Sequence, residues 1–253
     1  MEETASGASY HYWAFISYSH ADEKWAARLH RALETYRVPK ALVGGPGPSG
    51  ATPARLFPIF RDRDELPGAA SLNVQIRNAL QQSRALIVIC SPNAVRSRWV
   101  NEEIKTFKSL GRGNAVFPVI VSGEPNASDL PGREAEECFP EAARFQIGPD
   151  GAVLAGREEP LAADLRANGD DRRGALLKLV AGVLGMPLDS LRRRDDQRRN
   201  RLAGGAAVFT VAALTGRRGL CGFLRSSGGR QICTRQPTSP FPQPCRWCKA
   251  KRR

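Results

Sequence analysis

The chain has 253 residues, 42% of them hydrophobic, which allows one good-sized domain with appendages or two small domains around a buried core. Its formal charge of +13 is unevenly spread: ten Lys and Arg and no acid lie from Arg217 to Arg253, leaving +3 for the first 216 residues. That near-neutral part lacks the basic face of a dedicated phosphate-backbone binder, so no specific nucleic-acid partner is expected.

The first residues are polar and show no basic stretch followed by an apolar one, so no secretory signal and a cytoplasmic location are expected. Trp13 to Ser19 reads as a strand, and Ala21, Asp22 and Glu23 suit the first turn of a helix. In that helix Trp25, Leu29, Ala32, Leu33 and Tyr36 recur at helical spacing before Pro39 closes it. His20 and His30 have no second ligand four residues on and no Cys nearby, so neither is assigned a metal, and no metal site is expected. Gly44 to Ala54 has the composition of a flexible excursion; without Gly-Lys-Ser/Thr it is not a phosphate loop. Leu56 to Phe60 is a second candidate strand, weakened by Pro58. The following loop carries Asp62, Asp64 and Glu65 ahead of the turn-forming Pro67 and Gly68, and Ser71 is placed to cap a helix bearing Leu72, Ile76 and Leu80.

Ala85 to Cys90 is a continuous apolar run, the pattern of a strand buried on both faces of a parallel sheet, with Cys90 a buried thiol. Nothing about Cys90 or Cys138 suggests a disulfide framework. Next comes SRWVNEEIKTF, Ser97 to Phe107, in which Trp99 and Glu103 are one helical turn apart while Val100, Ile104 and Phe107 form the apolar stripe that docks the helix. Glu103 therefore sits at the margin of a buried stripe, partly desolvated and fixed in direction, as a catalytic or ligand-orienting carboxylate requires. Glu102 points elsewhere, toward solvent. Val116 to Val121 is a fourth strand, so strands and helices alternate and the fold class is α/β. Between Ser122 and Asp170 the clearest element is a short fifth strand at Ala143 to Ile147. Ala175, Leu176, Leu179, Val180, Val183 and Leu184 mark a last amphipathic helix, ended by Gly185 and Pro187.

Together FISYS at Phe15 to Ser19, DRDELPG at Asp62 to Gly68, SRALIVICSPNAVRSRWVNEEI at Ser83 to Ile104 and FPVIV at Phe117 to Val121 resemble a bacterial TIR (Toll/interleukin receptor) domain over about residues 11–185. The resemblance implies a flavodoxin-like parallel sheet flanked by helices, a signalling role through TIR to TIR self-association, and, as in many bacterial members, NAD+ hydrolysis with nicotinamide release. NAD+ is then a substrate, with no further cofactor. The catalytic residue of the NAD-cleaving members maps onto Glu103. The substrate-binding or gating positions map onto Phe15, Ser17, Tyr18, Asp62, Asp64, Gly68, Leu72 and Trp99, the last chiefly through packing that positions its helix. This chain departs from the family in having Ala14 where an acid often opens the first strand, and Ser19 and His20 where some NAD-cleaving members carry arginines. The alternative within the family is a non-catalytic protein–protein interaction module in signal transduction. A phospho-receiver domain fails on position, because the ALIVIC strand runs into Ser91 and Pro92 rather than a phosphorylatable Asp.

After the domain the sequence divides into a basic linker at 186–201, a short apolar segment at 202–216 like a truncated transmembrane helix, and a disordered basic tail at 217–253 with the composition of a frameshifted reading. Fifteen residues with three glycines are too few to cross a bilayer, for which ~20 are needed. Weak membrane association is expected through residues 192–218. Of Cys221, Cys233, Cys245 and Cys248, only the last pair has zinc-ligand spacing.

Overall fold

The computed structural model describes residues 10–47, 50–61 and 72–200, side chains at 72 and 73 apart. The chain divides into two units, Met1–Arg201 and Leu202–Arg253, and the second lies outside the described residues with everything expected of the apolar segment and tail. Among the described residues no helix is long and apolar enough to cross a membrane.

Parallel strands β1 (Ala14–Ser17), β2 (Ile59–Arg61), β3 (Leu86–Cys90), β4 (Val116–Ile120) and β5 (Ala163–Asp164) form one sheet in the spatial order β2-β1-β3-β4-β5. This is the flavodoxin-like order, and it places a topological switch between β1 and β3, where ligands of open α/β sheets bind beyond the carboxyl ends of the strands. Alternation along each strand sorts side chains to two cores. Ala14, Ile16, Ile87, Ile89 and Val119 pack with α1 (Glu23–Thr35) and α6 (Arg172–Leu184). Phe15, Leu86, Val88, Cys90 and Ile120 pack against α2 (Leu72–Gln81), α4 (Arg98–Phe107) and α5 (Glu141–Arg144), with α3 (Pro92–Arg96) supplying Ala94. The α/β class with a sheet covered on both faces is thus what the apolar run at β3 requires.

Three boundaries differ from the sequence reading. The second strand begins at Ile59; Leu56 is fully buried yet lies outside the ladder, and the carbonyl of Pro58, which has no N–H to give, accepts from Trp13. The expected fifth strand at Ala143 to Ile147 is split. Its first part belongs to α5, and Phe145–Ile147 pairs antiparallel with Val153–Arg157 in a separate hairpin. The turn is made by Gly148 to Gly151, with Gly151 at φ 81°, a value that glycine reaches without a Cβ clash. The sheet's own fifth strand is Ala163–Asp164, joined to Val119 and Ile120.

The expected basic linker is helical over 188–200, here α7, and it docks. Leu191 is fully buried and Leu188 packs beside it, an i, i+3 apolar pair hidden among arginines. Asp195, 6% exposed, pairs with Arg173 of α6, while Arg194 and Arg198 donate to the carbonyls of Ala41 and Arg37.

Candidate functional site

The end of β1 and the middle of α4 meet at one buried hydrogen bond. Alternation along β1 sends Phe15 and Ser17 toward α4, and Ile16 and Tyr18 toward the opposite core. On α4, Ser97 caps the first turn by accepting from the Val100 N–H at 3.4 Å, and Val100, Ile104 and Phe107 are all fully buried. Burying three such side chains contributes roughly 1.5–3 kcal/mol each, which fixes the roll of the helix. Glu103 rides on the same side at 5% exposure, and the Ser17 hydroxyl, itself fully buried, donates to its Oε2 at 2.5 Å. Glu102 is exposed and pairs with Lys105 at 3.5 Å.

A second polar pair lies just beyond the same strand ends. Asp22, 6% exposed, accepts from the hydroxyl of Ser91 at 2.5 Å and from the side-chain amide of Asn93 at 3.3 Å. Ser91 also accepts from the N–H groups of Asn93 and Ala94, both at 3.1 Å, and so caps α3. Nothing in the sequence pairs Asp22 with Ser91, 69 positions away; the one local signal is Ser91-Pro92, a cap followed by a proline at the first helical position.

The other expected site residues are placed as follows. Phe15 is fully buried one row beneath Ser17 and stacks on Phe60, with centroids 5.0 Å apart. Tyr18 is buried in the α1 and α6 core. Trp99, expected to pack, is 59% exposed, because it lies farther round α4 from the stripe of Val100, Ile104 and Phe107 than Glu103 does. Asp62, Asp64 and Gly68 lie outside the described residues; Leu72 opens α2, and its side chain also lies outside them.

Among the described residues no three His, Cys, Asp or Glu side chains gather as a metal site. His30 instead bonds the carbonyl of Ile59 at 3.0 Å while Glu34 accepts from the Ile59 N–H at 3.1 Å, which closes the outer edge of β2. Cys90 and Cys138 are free and buried. Burial pushes both thiols up, Cys138 to about 12, so neither is a nucleophile at neutral pH. An apolar groove lined by Trp25, Leu29, Leu176 and Leu179 runs between α1 and α6, on the opposite face of the sheet from Glu103.

A fixed, buried carboxylate at a switch point can hold hydroxyl groups or stabilise positive charge developing on a ligand. The sequence matches the TIR domain family over residues 14–145. The NAD(+) hydrolase ApTIR of Actinoplanes sp. is 31% identical over 215 residues, covering 80% of this chain. The chain spans 28% of that relative's length. Among solved structures, the chain is similar to the TIR domains of the activated Roq1 resistosome that recognises the pathogen effector XopQ, at 18% identity and a TM-score of 0.38, covering 67% of this chain and 98% of that one. It is also similar to a metazoan TIR-STING receptor from C. gigas in complex with 2',3'-cGAMP, at 21% identity and a TM-score of 0.39, covering 70% and 40%.

Proposed function

Because this chain belongs to the TIR domain family, we propose that it is a self-associating signalling domain that hydrolyses NAD+, with Glu103 as the catalytic carboxylate. The observation that carries the reading is the Glu103 carboxylate, 5% exposed and aimed by the Ser17 hydroxyl at the switch point of the sheet. Cleavage of the bond between nicotinamide and ribose passes through an oxocarbenium-like state, with positive charge spread over the ribose C1 and its ring oxygen. A carboxylate fixed before the reaction stabilises that charge without reorganising, and it also accepts from ribose hydroxyls. The C1–N bond breaks with its electron pair going to the pyridinium nitrogen, so nicotinamide leaves neutral and needs no second carboxyl as general acid. Water then bonds to C1 and loses a proton, giving ADP-ribose.

The low exposure of Glu103 also favours a second reading, in which the residue is structural and the domain is a non-catalytic interaction module. Nicotinamide release by the full chain, followed as concentration is raised through the onset of assembly, separates the two. Release that appears with assembly supports the enzyme. Assembly without release, together with intact signalling in Glu103→Ala, supports the module.

A further inference from the structure

We infer that Asp22 is a positioning residue for Glu103, acting through Ser91 and α3. This inference rests on the proposed catalytic role of Glu103.

The route is short and mostly buried. Asp22 holds the Ser91 hydroxyl at 2.5 Å and the Asn93 amide at 3.3 Å, and Ser91 holds the first two free N–H groups of α3. Gly123 lies so close to Pro92, the first residue of α3, that a Cβ there would come within 2.8 Å of the proline ring and 2.7 Å of the Glu136 carbonyl. The first turn of α3 is therefore held by Asp22 and packed against Gly123. Ser97 is at once the last cap of α3, its N–H bonded to the Ala94 carbonyl, and the first cap of α4. With a single residue between the helices, a shift of α3 passes directly to α4 and to Glu103.

The two hydrogen bonds also close a ring. Ser17 and Asp22 stand at the two ends of the segment that leaves β1; Ser91 and Glu103 stand at the two ends of the segment that leaves β3. Ser17 grips Glu103, and Asp22 grips Ser91. One hydroxyl fixes where the carboxylate points; the other pair fixes where its helix lies. Asp22 is 6% exposed and engages Ser91 and Asn93, so its part is to hold the frame and not to bind substrate.

The test compares Asp22→Ala, Asp22→Asn and Ser91→Ala in the full chain, by steady-state nicotinamide release and by amide hydrogen exchange. In Asp22→Ala, kcat should fall about ten- to hundredfold with KM changed less than about twofold, since displacement of a catalytic group by about an ångström has that effect. Asp22→Asn, whose amide oxygen still accepts from Ser91, should recover most of kcat. Exchange at residues 98–104 should rise about fivefold or more in Asp22→Ala and stay unchanged at 172–184. Unaltered exchange at 98–104, or an unaltered kcat in the folded variant, overturns the inference. If Asp22→Ala does not fold, Ser91→Ala makes the same test with Asp22 still held by Asn93. If the unaltered protein releases no nicotinamide, the proposed activity fails, and the exchange comparison alone decides whether Asp22 seats α4.

Discussion

The Ser17 hydroxyl donates to the Glu103 carboxylate at 2.5 Å, tying the carboxyl end of β1 to the middle of α4 across 86 positions of sequence. Both groups are buried, so the bond is shielded from water and its loss leaves a carboxylate with one partner fewer in a poorly solvated place. Ser17→Ala should therefore destabilise the protein by about 1.5–3 kcal/mol and lower nicotinamide release about ten- to hundredfold. Urea unfolding and single-turnover kinetics on the same preparation check the two effects separately. Loss of stability with full turnover would remove Ser17 from the catalytic arrangement.

The apolar side of α4 holds that arrangement in place. Phe107 is fully buried in the core shared by β3 and α2, and Phe107→Ala should cost about 3–5 kcal/mol. Glu102→Ala, at an exposed position on the same helix, should stay within about 0.5 kcal/mol. Denaturant midpoints of the two variants test whether the helix faces the way described.

Residues 188–200 are part of the folded unit. Leu191→Ala removes a fully buried side chain from the contact of α7 and should cost about 2–5 kcal/mol, against almost nothing for a leucine in a solvated linker. A shift in thermal midpoint of less than a degree would return this segment to the status of a connector.

Glu137 sets one limb of the pH dependence. It is 2% exposed. Burial alone would raise its pKa, but donors from the Phe139 N–H and from the Ser128 hydroxyl and N–H, with the Arg144 charge, outweigh it and hold the carboxyl below its usual range. A folded-state value below the unfolded one means that its stabilisation is complete above the unfolded pKa, near 4.5, and is lost as pH falls through the lower folded value. Glu137→Gln should be less stable than the unaltered protein at pH 7 and lose less on going from pH 5 to more acid solution. Parallel stability curves in that range would contradict the assignment.

Much of this was legible because it is periodic. The apolar run Leu86–Cys90 marked the sheet's centre, and the spacing of Val100, Ile104 and Phe107 put Glu103 beside a buried stripe. What was hidden is what distance in sequence conceals. The pairing of Ser17 with Glu103 leaves no local trace and that of Asp22 with Ser91 only the Ser91-Pro92 cap, because the sheet order brings them together. β5 is two residues long and shows no alternation, and the second strand of the neighbouring hairpin is mostly exposed, so the hairpin's more apolar first strand, with the residues just before it, reads as the fifth strand. In α7 the buried Leu191 and half-buried Leu188 are outnumbered by arginines, and composition outweighed spacing. Trp99 was misread for the opposite reason. It was expected to position its helix by packing, but it lies outside the arc of α4 that Val100, Ile104 and Phe107 bury.

In the function proposed above, Glu103 performs chemistry in addition to holding structure. Glu103→Gln keeps the size and shape of the side chain and its ability to accept from Ser17, and removes only the charge. Nicotinamide release from NAD+ should be measured for the unaltered full chain and for this variant, at concentrations where both are assembled. Clear release by the former is expected, with a drop of about a hundredfold or more in the latter and with assembly and thermal midpoint retained. Equal release by the two proteins, or none by either, would contradict it.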